Sequence, residues 1–171
     1  MKKSIWNWLA CVALALGLSL GAAPWQGAYA DDDDDDDGGP GLSITEVLVV
    51  FEDVEAAARC ALDMQAAVDA VDPEALGLPD SLGLRLAGHI GPVFAGEDPV
   101  RKEPAYYGSH MTRAARMEPV TPRGQVYVSG PFAAGLALSR APGLTCEYVG
   151  HLPTAKEFGS MRMHVLVDRD G

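Results

Sequence analysis

The sequence predicts an α+β domain in which helices pack on one face of a single sheet. Short runs rich in valine and leucine, typical of strands, are interspersed with longer segments in which apolar residues recur at helical spacing. Their order along the chain is strand, helix, two strands, helix, strand, helix, strand, strand, which lacks the strict alternation of a parallel α/β fold. The length of 171 residues leaves room for one domain with appendages at its ends.

The first elements of this order have clear boundaries. The segment "EVLVVFE" at 46–52 is a short Val-rich run and predicts a buried strand. Asp53 can cap the helix that follows, and Pro73 comes where the apolar pattern of that helix ends. The segment 82–98 then predicts two strands around a Gly-Pro step.

A second helix is predicted to begin at Ser109, whose side chain can cap it, and to end near Met117 because Pro119 follows. The remaining elements are a strand at 125–129, a short helix at 130–138, and a closing hairpin formed by 145–152 and 160–169. Proline in the first turn of the short helix is a common start signal.

Residues 1–30 have the features of a secretory signal peptide. Two lysines precede an apolar stretch, and small residues at Ala28 and Ala30 predict cleavage after Ala30. The apolar stretch also approaches the roughly 20 residues that span a bilayer, so an uncleaved membrane anchor is the alternative. Either fate predicts that the chain is exported or membrane-anchored.

An acidic, disordered linker is predicted at 31–43. It contains an unbroken run of seven aspartates, Asp31–Asp37, followed by glycines and a proline. Removal of residues 1–37, with two lysines and seven aspartates, changes the formal net charge from −11 to −6. The folded domain is assigned to 44–171, and its negative charge argues against nucleic-acid binding, which needs clustered Lys and Arg.

The helix predicted at 109–117 carries a candidate site. Thr112 and Arg116 are four residues apart and project from the same face, whereas the apolar residues of this helix point the other way. An arginine fork is suited to binding phosphate and to stabilising charge on a transferring phosphoryl group. The alternative is a surface arginine paired with a nearby carboxylate such as Glu118.

The segment 84–129, "LRLAGHIGPVFAGEDPVRKEPAYYGSHMTRAARMEPVTPRGQVYVS", contains several motifs in a fixed order. It resembles the catalytic domain of class III adenylate/guanylate cyclases, in which a G-x-H-x-G-x-V hairpin is followed by a loop, a W/Y-G pair and a helix of the form V-N-x-A-A-R. The resemblance extends over roughly residues 45–168. It implies a ferredoxin-like, cyclase-type sheet that is truncated at its N-terminus, because the first strand and helix of the family's fold have no counterpart.

The resemblance implies a dimeric enzyme that converts a nucleoside triphosphate, with ATP expected, to its 3′,5′-cyclic monophosphate and pyrophosphate. In that family two aspartates of one chain hold two divalent metals, Mg or Mn, and an Asn/Arg pair of the other chain orients the ribose and stabilises the transition state. The implied partner is a second copy of this chain or an intact cyclase chain. Such an activity belongs in the cytoplasm, which conflicts with the predicted export signal.

Four positions of this chain correspond to functional positions of the family. Arg116 matches the transition-state arginine, and Thr112 occupies the asparagine position, where its shorter side chain lacks the amide donor. Ala105 stands where many adenylate cyclases place the residue that reads the adenine amino group. Lys156, in "TAKEFG", resembles a lysine near the phosphates.

The metal-binding half of the family's site has no counterpart in this sequence. The family's Gly-Asp pair falls on Ile44 and Thr45, and the strand that should carry the other aspartate is missing. The resemblance therefore predicts no metal ligand in this chain. Two functions follow as hypotheses: a nucleotidyl cyclase domain that supplies Arg116 to a shared site, or an inactive fragment that acts as a nucleotide-binding or dimerisation module.

Overall fold

The structure, a computed structural model, describes residues 8–15, 46–77, 83–97, 99–100, 102 and 104–170. The strands are β1 (Trp8–Ala15), β2 (Glu46–Phe51), β3 (Arg85–Pro92), β4 (Phe94–Glu97), β5 (Pro104–Tyr107), β6 (Gln125–Ser129), β7 (Leu144–Pro153) and β8 (Ser160–Asp168). The helices are α1 (Val54–Asp69), α2 (Ser109–Met117) and α3 (Gly130–Ser139), with short 3₁₀ turns at Glu74–Leu76, Glu118–Val120 and Ala155–Glu157. Every helix and strand that the sequence predicts is present, and β1 and β5 are additional.

Six of the strands form one mixed sheet in the order β2-β1-β3-β6-β8-β7. β3 and β6 are parallel, with Leu86 opposite Val126, and the other neighbours are antiparallel. β4 and β5 form a separate antiparallel pair that leads into α2. A mixed sheet flanked by helices confirms the predicted α+β class.

Helices cover both faces of this sheet. On one face α1 and α3 pack in a core whose buried members are Ala57, Ala58, Ala61, Leu84, Leu86, Val126, Val128, Phe132, Leu136, Ala141 and Leu166. On the other face Ala114 of α2 packs with Leu48, and Met117 packs with Ala87. The prediction that helices occupy one face only is therefore wrong for α2. Successive residues of a strand face opposite ways, and β3 carries apolar side chains at consecutive positions, so both of its faces need a cover.

The helix starts follow from the residues that precede them. Asp53 accepts a hydrogen bond at 2.7 Å from a backbone N–H in the first turn of α1, which confirms it as the N-cap. Ser129 caps α3 in the same way, at 3.4 Å from the Phe132 N–H. Ser109 does not cap α2 as predicted, because it is already helical. The residue before it is Gly108, whose φ of 148° favours glycine.

The strand β1 comes from the segment that the sequence assigns to a signal peptide. It lies between β2 and β3 and pairs antiparallel with both, so that Val12 is opposite Val49 on one side and Gly88 on the other. The sequence analysis expects no strand before β2, and the structure corrects that expectation. A cleaved leader could not supply this strand, so cleavage of residues 1–30 and formation of β1 exclude each other. The predicted acidic linker lies outside the described residues.

No helix in the described part of the chain is both long and apolar enough to cross a membrane.

A pair of histidines holds α2 against β3. His89 is 1% exposed, and its Nδ1 lies 2.7 Å from the Ser129 hydroxyl, while its Nε2 lies 2.8 Å from Nδ1 of His110 on α2. One of those two facing nitrogens donates and the other accepts, so at least one ring must be neutral. Burial, assisted by the charges of His110 and Arg113, lowers the pKa of His89 from 6.5 to about 4. The pair therefore anchors the N-terminal end of α2 only while it is not fully protonated.

Glycine at position 91 is what leaves room for the His110 ring. A Cβ atom built on Gly91 would overlap the His110 imidazole. The close approach of α2 to β3 at this point thus requires a residue with no side chain.

The first prediction concerns β1. Val12→Pro, in the full chain with its N-terminus verified by mass spectrometry, lowers the free energy of unfolding by about 2 kcal/mol, because proline removes an N–H from a strand that is paired on both sides. Urea unfolding followed by circular dichroism measures this change. Asp34→Pro, in the acidic linker, is the control and leaves the stability unchanged; an equal stability of both variants contradicts the pairing of β1.

The second prediction concerns the contact between Gly91 and His110. Gly91→Ala lowers the free energy of unfolding by about 2 kcal/mol, because the new methyl group displaces the ring and breaks its hydrogen bond to His89. In a His110→Ala background the same substitution costs much less, since the ring is gone. A double-mutant cycle measures the difference, and equal costs in the two backgrounds would be evidence against this contact.

The third prediction is a pH dependence. Below pH 6.5 unfolded His89 takes up a proton, whereas folded His89, with a pKa of about 4, stays neutral. The free energy of unfolding therefore falls by about 3 kcal/mol from this residue as the pH decreases from about 6.5 to about 4. His110, whose pKa is also lowered, acts in the same direction. Chemical unfolding at a series of pH values compares the chain with His89→Gln, which shows a shallower slope; identical slopes would count against the assignment.

Candidate functional site

The helix α2 presents the two residues that the sequence singles out. Thr112 is exposed and Arg116 is half-buried, one helical turn further on. Ala114 and Met117 are completely buried against the sheet. The predicted division of this helix into an apolar face and a polar face is confirmed, and it directs a hydroxyl and a guanidinium away from the core.

The Arg116 guanidinium has no partner in the described part of the chain. None of the described residues forms a hydrogen bond or ion pair with its guanidinium. Glu118, which the sequence offers as its partner, is 7% exposed and instead faces Arg85, with Nε and Oε1 3.7 Å apart. The structure thus does not show the pairing of Arg116 with Glu118 that the sequence offers as the alternative.

The turn that carries Lys156 lies beside this helix. The 3₁₀ turn between β7 and β8 has Cα atoms within 8 Å of α2. Lys156 and Glu157 both have positive φ, 56° and 54°, a conformation that is uncommon for residues other than glycine. Thr154 holds the base of the turn, because its backbone N–H and its hydroxyl each donate to the Gly159 carbonyl at 2.8 Å. The structure thus brings Lys156, which is exposed, to the same face of the sheet as Arg116.

Ala105 occupies a different part of the same region. It lies on β5, opposite Gly96 of β4, three residues before Gly108 and the start of α2. Its methyl group can donate no hydrogen bond to a base. The neighbouring Tyr106 and Tyr107 are 44% and 45% exposed and offer aromatic surface instead.

The described residues do not fit a divalent metal. They contain no group of three or more His, Cys, Asp or Glu side chains that could hold one. The strand β1 has no acidic residue in its sequence, "WLACVALA". Ile44 and Thr45, the positions that correspond to the family's Gly-Asp pair, lie outside the described residues.

Sequence reasoning did not find two interactions that position α2. These are the pair of His89 with His110 and the pair of Arg85 with Glu118. Each joins residues that are distant in sequence. The apolar pattern around them predicts strands and helices, but it does not predict the partners of polar side chains. The packing of α2 on β3 is what brings the two imidazole rings together.

Comparison with known proteins agrees with the fold. The family model of the adenylate and guanylate cyclase catalytic domain matches residues 44–167. No curated protein matches the chain.

Three solved structures show the same fold. The adenylyl cyclase CyaB from P. aeruginosa has a TM-score of 0.61 and 17% identity, with 75% of this chain and 70% of that chain covered. Adenylate cyclases from Trypanosoma brucei in their monomeric state have a TM-score of 0.56 and 21% identity, with 72% of this chain and 68% of that chain covered. The guanylate cyclase domain of RhGC from Catenaria anguillulae, in complex with GTP, has a TM-score of 0.52 and 20% identity, with 68% of this chain and 60% of that chain covered.

The family model spans well over half of the 171 residues, and the similar structures share the sheet and helices described above. The chain therefore belongs to the adenylate and guanylate cyclase catalytic-domain family.

Proposed function

We propose that this chain is a nucleotidyl cyclase domain that acts on ATP by completing a site shared with an intact cyclase chain. The observation that carries the proposal is the Arg116 guanidinium, which has no partner among the described residues and lies on the face of α2 beside the Lys156 turn. A cation held in this way on a rigid helix is suited to a triphosphate.

The proposed reaction is a phosphoryl transfer within one nucleotide. The ribose 3′-hydroxyl gives its proton to solvent and attacks the α-phosphorus. The new P–O bond closes the ring, and the bond from the α-phosphorus to the oxygen that bridges to the β-phosphate breaks to release pyrophosphate. Negative charge develops on the α-phosphate oxygens during this step. Arg116 stabilises that charge, because a fixed guanidinium acts there without reorganisation.

Thr112 and Lys156 have supporting roles in this proposal. The Thr112 hydroxyl, one turn from Arg116, hydrogen-bonds the ribose and so orients the attacking oxygen. Lys156 adds positive charge near the leaving phosphates. Ala105 contributes no hydrogen bond to the base, so an assay of this chain includes GTP beside ATP.

Divalent metal ions, Mg or Mn, belong in this proposal to the intact partner chain. The described residues of the present chain do not fit them. The proposed assembly is therefore a heterodimer in which the partner holds the metals and this chain supplies Arg116.

A second candidate function is a nucleotide-binding or dimerisation module without turnover. The observation that favours it is the same lack of a metal-binding group among the described residues. It predicts binding of a triphosphate or association with a second chain, and no cyclic product in any mixture.

The fourth prediction separates these functions by complementation. This chain is mixed with an intact cyclase chain whose own transition-state arginine has been replaced, so that activity depends on Arg116. Cyclic AMP forms with the unmodified chain, and Arg116→Ala lowers the rate about 100-fold or more, because the charge-stabilising group is lost. Product is measured by chromatography with ATP and, in parallel, with GTP.

Arg59→Ala is the matched control, since Arg59 lies on α1, on the opposite face of the sheet, paired with Glu55. It leaves the rate unchanged. Equal activity with Arg116→Ala contradicts the proposed role of Arg116. Nucleotide binding without any product, even with the unmodified chain, supports the module.

A further inference from the structure

A cavity lies on the face of the sheet opposite α2. It has a volume of about 960 Å³ and opens between α3 and the hairpin of β7 and β8. Leu136, Leu144 and Cys146, which line it, belong to or pack against the core on the α1–α3 face. Most of the cavity therefore lies away from Arg116 and Lys156, although Met161, which packs with the cluster on the α2 face, also lines it.

One wall of the cavity is apolar because α3 is rich in small residues. Ala133, Ala134 and Ala137 line it, so this side of the helix leaves space where longer side chains would fill the gap to the hairpin. The cavity is open to solvent, since Ala134, Ala137 and Arg162 in its lining are exposed. A space of this volume with an apolar wall is in the range of small-molecule sites.

The other end of the cavity is basic. Arg162 is exposed, and its Nε donates to Nε2 of His151 at 3.2 Å. Its terminal amino groups have no partner among the described residues. His164 lies next to it, and the Nδ1 atom of this ring is buried without a hydrogen bond. A buried polar atom without a partner is costly.

Positive charge at this end is concentrated on Arg162. Burial, assisted by Arg162, lowers the pKa of His164, so this ring is neutral near pH 7. No aspartate or glutamate is among the described residues that line the cavity. This lining contrasts with a chain whose formal net charge is −11.

We propose that this cavity binds a small carboxylic acid with an apolar body. The carboxylate accepts hydrogen bonds from the terminal amino groups of Arg162, with His164 beside it, and the apolar body lies against Cys146 and the alanines of α3. An arginine fork matches the two oxygens of a carboxylate. The apolar wall favours a hydrocarbon body over a sugar or an inorganic anion.

The test uses decanoate and decanol, which have the same chain length and differ in charge. Isothermal titration calorimetry of the full chain at pH 7.5 shows saturable binding of one decanoate, and decanol binds at least tenfold more weakly. Arg162→Ala weakens decanoate binding tenfold or more, since hydrogen bonds to a charged group are lost. Arg162→Lys, which keeps the charge, retains part of the affinity.

Arg169→Ala is the matched control. This arginine follows the end of β8, is paired with Glu147 at 3.5 Å and does not line the cavity, so its removal leaves decanoate binding unchanged. Ala134→Trp places a large ring in the cavity from an exposed position of α3 and abolishes binding. If Arg162→Ala does not fold, as judged by circular dichroism, the Ala134→Trp variant and the decanol comparison decide the matter.

Four results would overturn the proposal. The first three are decanoate binding that does not saturate, equal affinity of folded Arg162→Ala, and binding that persists in Ala134→Trp. The fourth is equal affinity for decanol, which would show that the basic end of the cavity has no role in recognition.

Discussion

The burial of β3 on both faces is the constraint on which the rest of the structure depends. Leu86 faces the core of α1 and α3, whereas Ala87 and His89 face α2, and the strand is paired on both edges. A strand enclosed in this way has no solvated side, so every polar group on it needs a protein partner. His89 finds two such partners, and through them β3 sets the position of α2. The location of Arg116 on α2 thus depends on the hydrogen bonds that His89 forms.

Much of the fold could be predicted from the sequence because the spacing of apolar residues that indicates a helix or a strand is a local pattern. The strand at 46–52, the cap at Asp53 and the helix of Arg116 follow from residues close to one another in the chain. The position of α2 on the second face could not be predicted in this way, since it depends on which side of β3 each neighbour covers. The candidate site was found through a resemblance between motifs, and helical spacing alone would have left Arg116 as an ordinary surface residue.

Two arginines near α2, Arg85 and Arg116, differ in their surroundings. Arg85 and Glu118 form a largely buried pair, and the Arg85 Nε has no hydrogen bond because the pair is 3.7 Å apart. A buried pair of this geometry contributes little net stability, yet removal of one member would leave the other charge unpaired. By facing Arg85, Glu118 is directed away from Arg116. Arg85 is therefore held in a structural pair, whereas Arg116 has no partner among the described residues.

The position of β1 delays completion of the sheet during protein synthesis. Val12 can pair fully only after Gly88 has left the ribosome, and at 5–20 residues per second that interval lasts roughly 4–15 s. During this time Val12 lacks its pairing partner in β3. Once β3 is available, β1 can take its place between β2 and β3. The first strand of the described chain to be synthesised is therefore completed only after β2 and β3 have followed it.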